Sequence, residues 1–337
     1  MSERLKSILV RSGSFVLAGG LLYLALRGVD FQTVGRDLRD ANYWWIIPIV
    51  AATLISHLLR AWRWTFLLDQ IPPRPKSVRV PLMGAFGAIM IGYLANYVAP
   101  RIGEVIRTAN VAKRYRQPFA SVLGTVITER ILDVFTMALA MLTLPLVFAG
   151  QLGDIRDLLL DPIVDRLPHP SIGVIALALG LTTAVIYLLY RWLATGHGAR
   201  IASALLSLKD GLATIAKTPR RGALVVSTVL MWLCYGLMAY LPFLMFGFDE
   251  QFGIGFVAAW GVMLLGAIGV VIPSPGGIGS YHYITIQSLV LLFAFSQDAA
   301  ASYAILTHTG QLLIYVVTGA FFILRMGLSF KATTAEQ

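Results

Sequence analysis

The sequence predicts an all-α polytopic membrane protein, and three observations carry that prediction. Of 337 residues, 57% are hydrophobic and only 13% are Asp, Glu, Lys or Arg, against about 45–50% and 25% in soluble domains. Mean hydropathy is +0.75. Apolar stretches of roughly 17–25 residues, long enough to cross a ~30 Å hydrocarbon layer as helices, recur along the whole chain. A soluble protein of this size would have too few charges for its surface, so a soluble enzyme, a disordered chain and a disulfide scaffold are excluded. The single cysteine, Cys234, leaves no disulfide framework and no Cys-based metal site. The formal charge of +10 reads as Lys and Arg held on the cytoplasmic side, not as a nucleic-acid footprint.

Taken in order, the first apolar run, Ser14 to Leu26, comes after the basic head Arg4, Lys6 and Arg11. Arg27, Gly28, Val29 and Asp30 stand where a signal peptide would have its small-residue cleavage site, so an uncleaved span is expected. Further runs are Tyr43 to Trp62, Pro81 to Val98, Phe119 to Ala149, Ile172 to Leu193, Ala223 to Phe246, Ile254 to Ile272, Tyr281 to Phe295 and Ala299 to Leu324. The expectation is one transmembrane domain over 1–337, with about six to eight spans and no soluble domain. Loop charge orients it. Basic stretches at the N-terminus, at 60–79, at 191–221 and around Arg325 and Lys331 face the cytoplasm. The balanced loop 27–40 and the loop bearing Asp154, Asp157, Asp161 and Asp165 face outside. The expected location is a bacterial inner membrane with both termini cytoplasmic.

One stretch breaks the alternation. Residues 101–116 carry Arg101, Arg107, Lys113, Arg114 and Arg116, yet one apolar run alone separates them from the equally basic 60–79. A re-entrant hairpin turning near Asn96 to Gly103 resolves the conflict, since non-helical backbone is tolerated at membrane depth where protein or a watery cavity surrounds it. A second hairpin has the same form: Val271-Ile272-Pro273 closes a Gly-punctuated run as Val98-Ala99-Pro100 closes the first, and each is succeeded by an Ile-Gly pair. The units 43–149 and 223–324, joined by a connector over 150–222 with one span, then form an inverted-topology repeat. In transporters that arrangement places the site where two interrupted segments meet.

Three constellations could carry chemistry. In Arg101-Ile102-Gly103-Glu104-Val105-Ile106-Arg107 a helix starting near Ile102 puts Glu104 and Arg107 on one face. Guanidinium forks beside a helix N-terminus suit a phosphate; a basic loop meeting anionic lipid is the plainer alternative. In Thr128-Glu129-Arg130-Ile131-Leu132-Asp133, Glu129 and Asp133 share a face deep in an apolar run. Such charges line a pathway, pair structurally (Glu129 with Arg107, for instance), or mark the interface. In the loop Pro273 to Gly279, with Gly276, Gly277 and Gly279, two prolines stop a helix and glycines permit positive φ. Tyr281, His282 and Tyr283 come next as polar aromatics, His282 being able to titrate or to bond a phosphate; a tight structural turn is the alternative. His308 and Gln311 read as interhelical bonding, His57 and Arg60 as the polar end of a span, and Tyr43-Trp44-Trp45 with Trp62 and Trp64 as interfacial belts. No metal spacing, P-loop or hydrolase elbow is present, so no cofactor or metal is expected.

The order R-I-G-E-x-x-R, E-R-x-x-D and P-x-P-G-G-x-G resembles the lysylphosphatidylglycerol synthase transmembrane-region family, over roughly Leu17 to Leu324. The resemblance implies a lipid-translocating helical domain, a flippase or scramblase, with re-entrant hairpins near the path. It directs interest to Arg101, Glu104, Arg107, Glu129, Arg130, Asp133 and the Pro273 to Gly279 loop. The chain ends about a dozen residues beyond the last apolar run, so no aminoacyl-transferase activity is carried over and an enzyme is not expected. The implied partner is a membrane lipid: a phospholipid, an aminoacyl-phospholipid, a polyprenyl-phosphate or a hopanoid-type lipid. Assembly as a homo-oligomer is left open. A membrane-embedded lipid-modifying enzyme and a small-solute transporter are the alternatives.

Overall fold

A computed structural model describes residues 3–73, 75–99, 102–148, 220–272 and 274–326, with side chains from Gly13 onward. Arg101, Pro273, the acidic loop 150–170 and the connector span Ile172 to Leu193 lie outside the described residues. All the described elements are helical: α1 Glu3–Leu26, α2 Phe31–Asp40, α3 Ile46–Leu68, α4 Leu82–Val98, α5 Gly103–Arg114, α6 Phe119–Met141 and α7 Leu144–Val147, then α8 Arg221–Phe246, α9 Phe248–Phe252, α10 Phe256–Val271, α11 Ser280–Phe293 and α12 Gln297–Met326. Among these residues four helical segments are long and apolar enough to cross a membrane, and a fifth if α1 and α2, bent by 83°, count as one. The chain is an all-α polytopic membrane protein.

The loop expected at 27–40 is largely the helix α2. Asp30 caps it, its side chain accepting from Gln32 N at 2.9 Å and Thr33 Oγ1 at 2.8 Å. Asp30 N donates to Asp298 Oδ1 at 2.8 Å and Ser302 Oγ to Asp37 Oδ2 at 2.6 Å, which fastens α2 to the start of α12.

The apolar helices α4 and α10 have 17 and 16 residues. At 1.5 Å per residue they reach about 25 Å, short of a ~30 Å hydrocarbon layer. The residue before each proline is driven out of helical backbone: Ala99 adopts φ −149°, ψ 135°, and Ile272 φ −62°, ψ 129°. The chain then folds back. A Cβ on Gly103 would strike the Gly92 carbonyl, and one on Gly269 would sit 2.8 Å from Ser280 O. Each returning helix therefore packs on its partner with little but backbone between them.

Two cores result. Trp64, Ile89, Met90, Val111, Val122 and Val126 form the first, around α3 to α6. Phe243, Ile254, Val262, Ile286, Ala300 and Tyr303 form the second, around α8 and α10 to α12. The long α12 serves both, since Tyr315 and Phe322 belong to the first. Helices α3 and α8 pack along one another, with Ala52 against Met238 and Leu241. Large apolar side chains such as Val16, Trp44, Leu146 and Leu324 face outward, as a lipid-facing surface requires.

Candidate functional site

Three helices, α3, α5 and α6, deliver charge to one buried centre. Glu129, on α6, is 0% exposed. Its Oε1 accepts from Arg60 Nε at 2.6 Å and lies 3.4 Å from Arg63 NH2; its Oε2 is 2.9 Å from Arg107 NH2. Asp133, one turn on along α6, pairs closely with both Arg60 and Arg63. Arg130 holds Glu104 Oε1 at 2.6 Å and lies 3.7 Å from Asp133. Arg60 NH1 also donates to Tyr93 OH at 2.8 Å, and Trp64 lies under the Arg107 guanidinium, 4.8 Å from it.

The cluster sets Arg60, Arg63, Arg107 and Arg130 against Glu104, Glu129 and Asp133, so it carries one net positive charge. Arg63 Nε, Arg107 Nε and Glu104 Oε2 are buried without a hydrogen-bond partner among the described atoms. A narrow crevice reaches it, bounded by Gly92, Tyr93, Asn96 and Gly103 of the first hairpin and by Arg60, Glu104, Arg107 and Arg130. Asn96 Oδ1 takes the Gly103 N–H at 2.7 Å and so ties the end of α4 to the start of α5. Chemically this is an anion-attracting centre: surplus cationic donors in a low-dielectric setting, with Glu129 and Asp133 each engaged by several arginines.

The second hairpin supplies a different cluster. Gly276, Gly277 and Gly279 take φ of 59°, 79° and 83°, backbone that side chains with a Cβ rarely adopt. A Cβ on Gly276 would strike the Tyr97 ring, so the two hairpin tips touch; one on Gly279 would strike Ala18 O of α1. Tyr281 OH bonds Thr307 Oγ1 at 3.0 Å, and its ring stacks on His308 at 5.5 Å. His282 meets His308 at 4.8 Å between centroids. Among the described residues no group of three His, Cys, Asp or Glu side chains could hold a metal ion.

Thus Glu104, Arg107, Glu129, Arg130 and Asp133 come together, while Gly276, Gly277, Gly279, Tyr281 and His282 form the neighbouring, uncharged group. The option of pairing Glu129 with Arg107 is realised. Arg60 is not a span's polar end but the hub of the network, and Trp64 is a buried platform rather than an interfacial residue. Sequence reasoning misses Arg63 and Tyr93. The available signal is His57, Arg60 and Arg63 at three-residue steps, which sets basic side chains along one side of a mostly apolar helix.

An all-α polytopic scaffold with a buried ionic centre beside a broken-helix hairpin defines a membrane protein that holds charge in its interior. The chain belongs to the lysylphosphatidylglycerol synthase TM region family, which matches residues 12–319. It is also similar to Glycosyltransferase AglD of Haloferax volcanii, 23% identical over 339 residues that cover 91% of this chain and 53% of the relative. The chain therefore spans about half the length of that curated relative. No solved structure matches it. Together these relatives mark a lipid-related membrane protein.

Proposed function

We propose that the chain is a lipid flippase or scramblase which passes a phosphate-bearing headgroup between leaflets while the acyl chains stay in the bilayer. One observation carries the reading: the crevice at Gly92 and Gly103 leads to a buried cluster with more guanidinium than carboxylate and with unpartnered arginine N–H groups. Phosphate oxygens satisfy such donors well. The touching hairpin tips and the contact between α3 and α8 support an inverted repeat with the path at the repeat interface. Basic loop charge supports cytoplasmic termini in a bacterial inner membrane. A carrier is favoured over an enzyme because Glu129 and Asp133 are each held by two or more arginines, which makes either a poor general base.

The test is transbilayer exchange in liposomes containing the purified protein, monitored with a fluorescent phospholipid and a membrane-impermeant quencher. The expected result is exchange at least tenfold above empty liposomes, returned to background by Arg107→Ala in protein that keeps its helical spectrum. Exchange unaffected by Arg107→Ala removes the crevice from the path. No exchange with phospholipid, aminoacyl-phospholipid, polyprenyl-phosphate or hopanoid-type lipids, with or without a proton gradient, overturns the reading.

A further inference from the structure

The imidazoles of His282 and His308 lie at the junction of the two hairpins. Each is more than nine-tenths buried. Their rings touch, and each has a ring nitrogen with no hydrogen-bond partner among the described atoms: Nδ1 of His282 and Nε2 of His308. Tyr97 of the first hairpin lies 6.1 Å from the His308 ring and also lies against Gly276 of the second. The pair therefore sits beside a contact between the two hairpin tips.

Among the described residues the surroundings are polar but uncharged. Tyr97 comes from α4, Tyr281 from α11 itself, and the Thr307 hydroxyl of α12 is engaged by Tyr281. The Tyr303 hydroxyl, a turn away on α12, donates to Ala239 O of α8. Helix α10 has no ionisable side chain, and Tyr23 of α1 is largely exposed. Among the described residues no carboxylate or guanidinium pairs with either ring. A proton placed on one imidazole here would be a buried charge with no counter-ion, which apolar surroundings penalise heavily, beside a second basic ring. A proton on this pair therefore works against the closed junction.

We propose that His282 and His308 form a proton-binding site whose occupancy parts the Tyr97–Gly276 contact, and that closure of the hairpins expels the proton, so that protons drive the carrier cycle. The purpose of the site rests on the lipid-carrier reading; its geometry does not. The sign comes from linkage: the closed form binds fewer protons than the open one. Closure is therefore favoured as pH rises and opening as pH falls.

The test uses the whole chain in lipid nanodiscs with spin labels at Val98→Cys and Val270→Cys, both exposed, in a Cys234→Ser background. The expected result is one short distance at pH 7.5 and a longer one that dominates at pH 5.5, with no such change in the His282→Gln, His308→Gln double variant. Distances that ignore pH in the parent protein, or a pH response that survives in the double variant, overturn the proposal. Should the double variant fail to fold, NMR of ¹⁵N-labelled histidine in the labelled parent decides: titration in step with the distance change supports the site, and either without the other overturns it. Lipid exchange measured alongside separates the two readings. A pH-dependent distance without exchange of any lipid leaves the proton site standing and removes the carrier, and exchange with a pH-blind junction does the reverse.

Discussion

The hairpin of α4 and α5 and the hairpin of α10 and α11 turn by the same means. Ala99 and Ile272, each ahead of a proline, leave the helix for extended backbone, and glycines at 92, 103 and 269 let outgoing and returning helices touch. Their side chains then diverge. The first hairpin brings Glu104 and Arg107 into a network with Arg60, Arg63, Glu129, Arg130 and Asp133. The second brings Tyr281 and His282 against His308 and Tyr97, all uncharged. The backbone plan answers a packing requirement that both share, whereas polarity depends on the helix each one returns against. Helix α5 returns against α6, with its carboxylates, and α11 against α12, with its imidazole and hydroxyls.

The sharpest way to break this comparison is to remove one polar group from each side. Glu129→Ala takes a carboxylate from Arg60 and Arg63, which keep Asp133, and leaves buried Arg107 with no ion-pair partner among the described residues; it should cost ~3–5 kcal/mol, as the loss of one partner of a buried ion pair does. His308→Leu removes a ring whose Nε2 is unpartnered, and should be near neutral. Thermal unfolding in detergent compares them; equal losses would mean that the second cluster holds the fold together as firmly as the first. Next come the backbone contacts, where the two hairpins should behave alike. Gly103→Ala and Gly269→Ala both drive a methyl into the facing backbone and should each lose ~1–3 kcal/mol, the usual range for overpacking; a tolerant Gly269→Ala would separate the two turns.

A smaller effect is expected at the tip. Gly276→Ala must hold φ at 59° against the Tyr97 ring, and left-handed backbone costs roughly 1–2 kcal/mol outside glycine. Pairing it with Tyr97→Ala shows whether the ring adds to that figure: a double variant less impaired than Gly276→Ala alone identifies the clash. The smallest effect belongs to the exposed Arg79, whose Nε and NH2 meet Asp69 at 2.9 and 2.6 Å. Arg79→Ala should leave the melting temperature unchanged, since salt and water screen such a pair.

Much of this is legible in the sequence where the signal is local. A proline after an apolar run predicts a helix end, and both ends fall at the residue before it. The pairing of Glu129 with Arg107 is one of several open choices because both lie in the first hairpin unit, where basic residues are plentiful and a carboxylate has many possible partners. Arg60 escapes notice because Arg at the end of an apolar run is ordinary, and its contact with Glu129 spans 69 positions. Trp64 misleads for a related reason: an indole near basic residues looks interfacial until Arg107 is found above it and Thr125 Oγ1 accepts its N–H at 2.9 Å. The helix over Phe31–Asp40 reads as a loop because its balanced charge gives no apolar run, and its stability comes from Asp298 and Ser302 far along the chain.

By itself, then, the sequence determined that this chain lives in a bilayer, where it breaks its helices, and that charge is concentrated around the first hairpin. Those properties are set by hydropathy and by proline and glycine, whose effects act within a few residues. Only the tertiary structure decided that Arg60 and Arg63 close the ionic centre, and that the second hairpin's imidazole meets another on α12. Burial and pairing depend on which helices are neighbours, and that is fixed by packing across the whole chain.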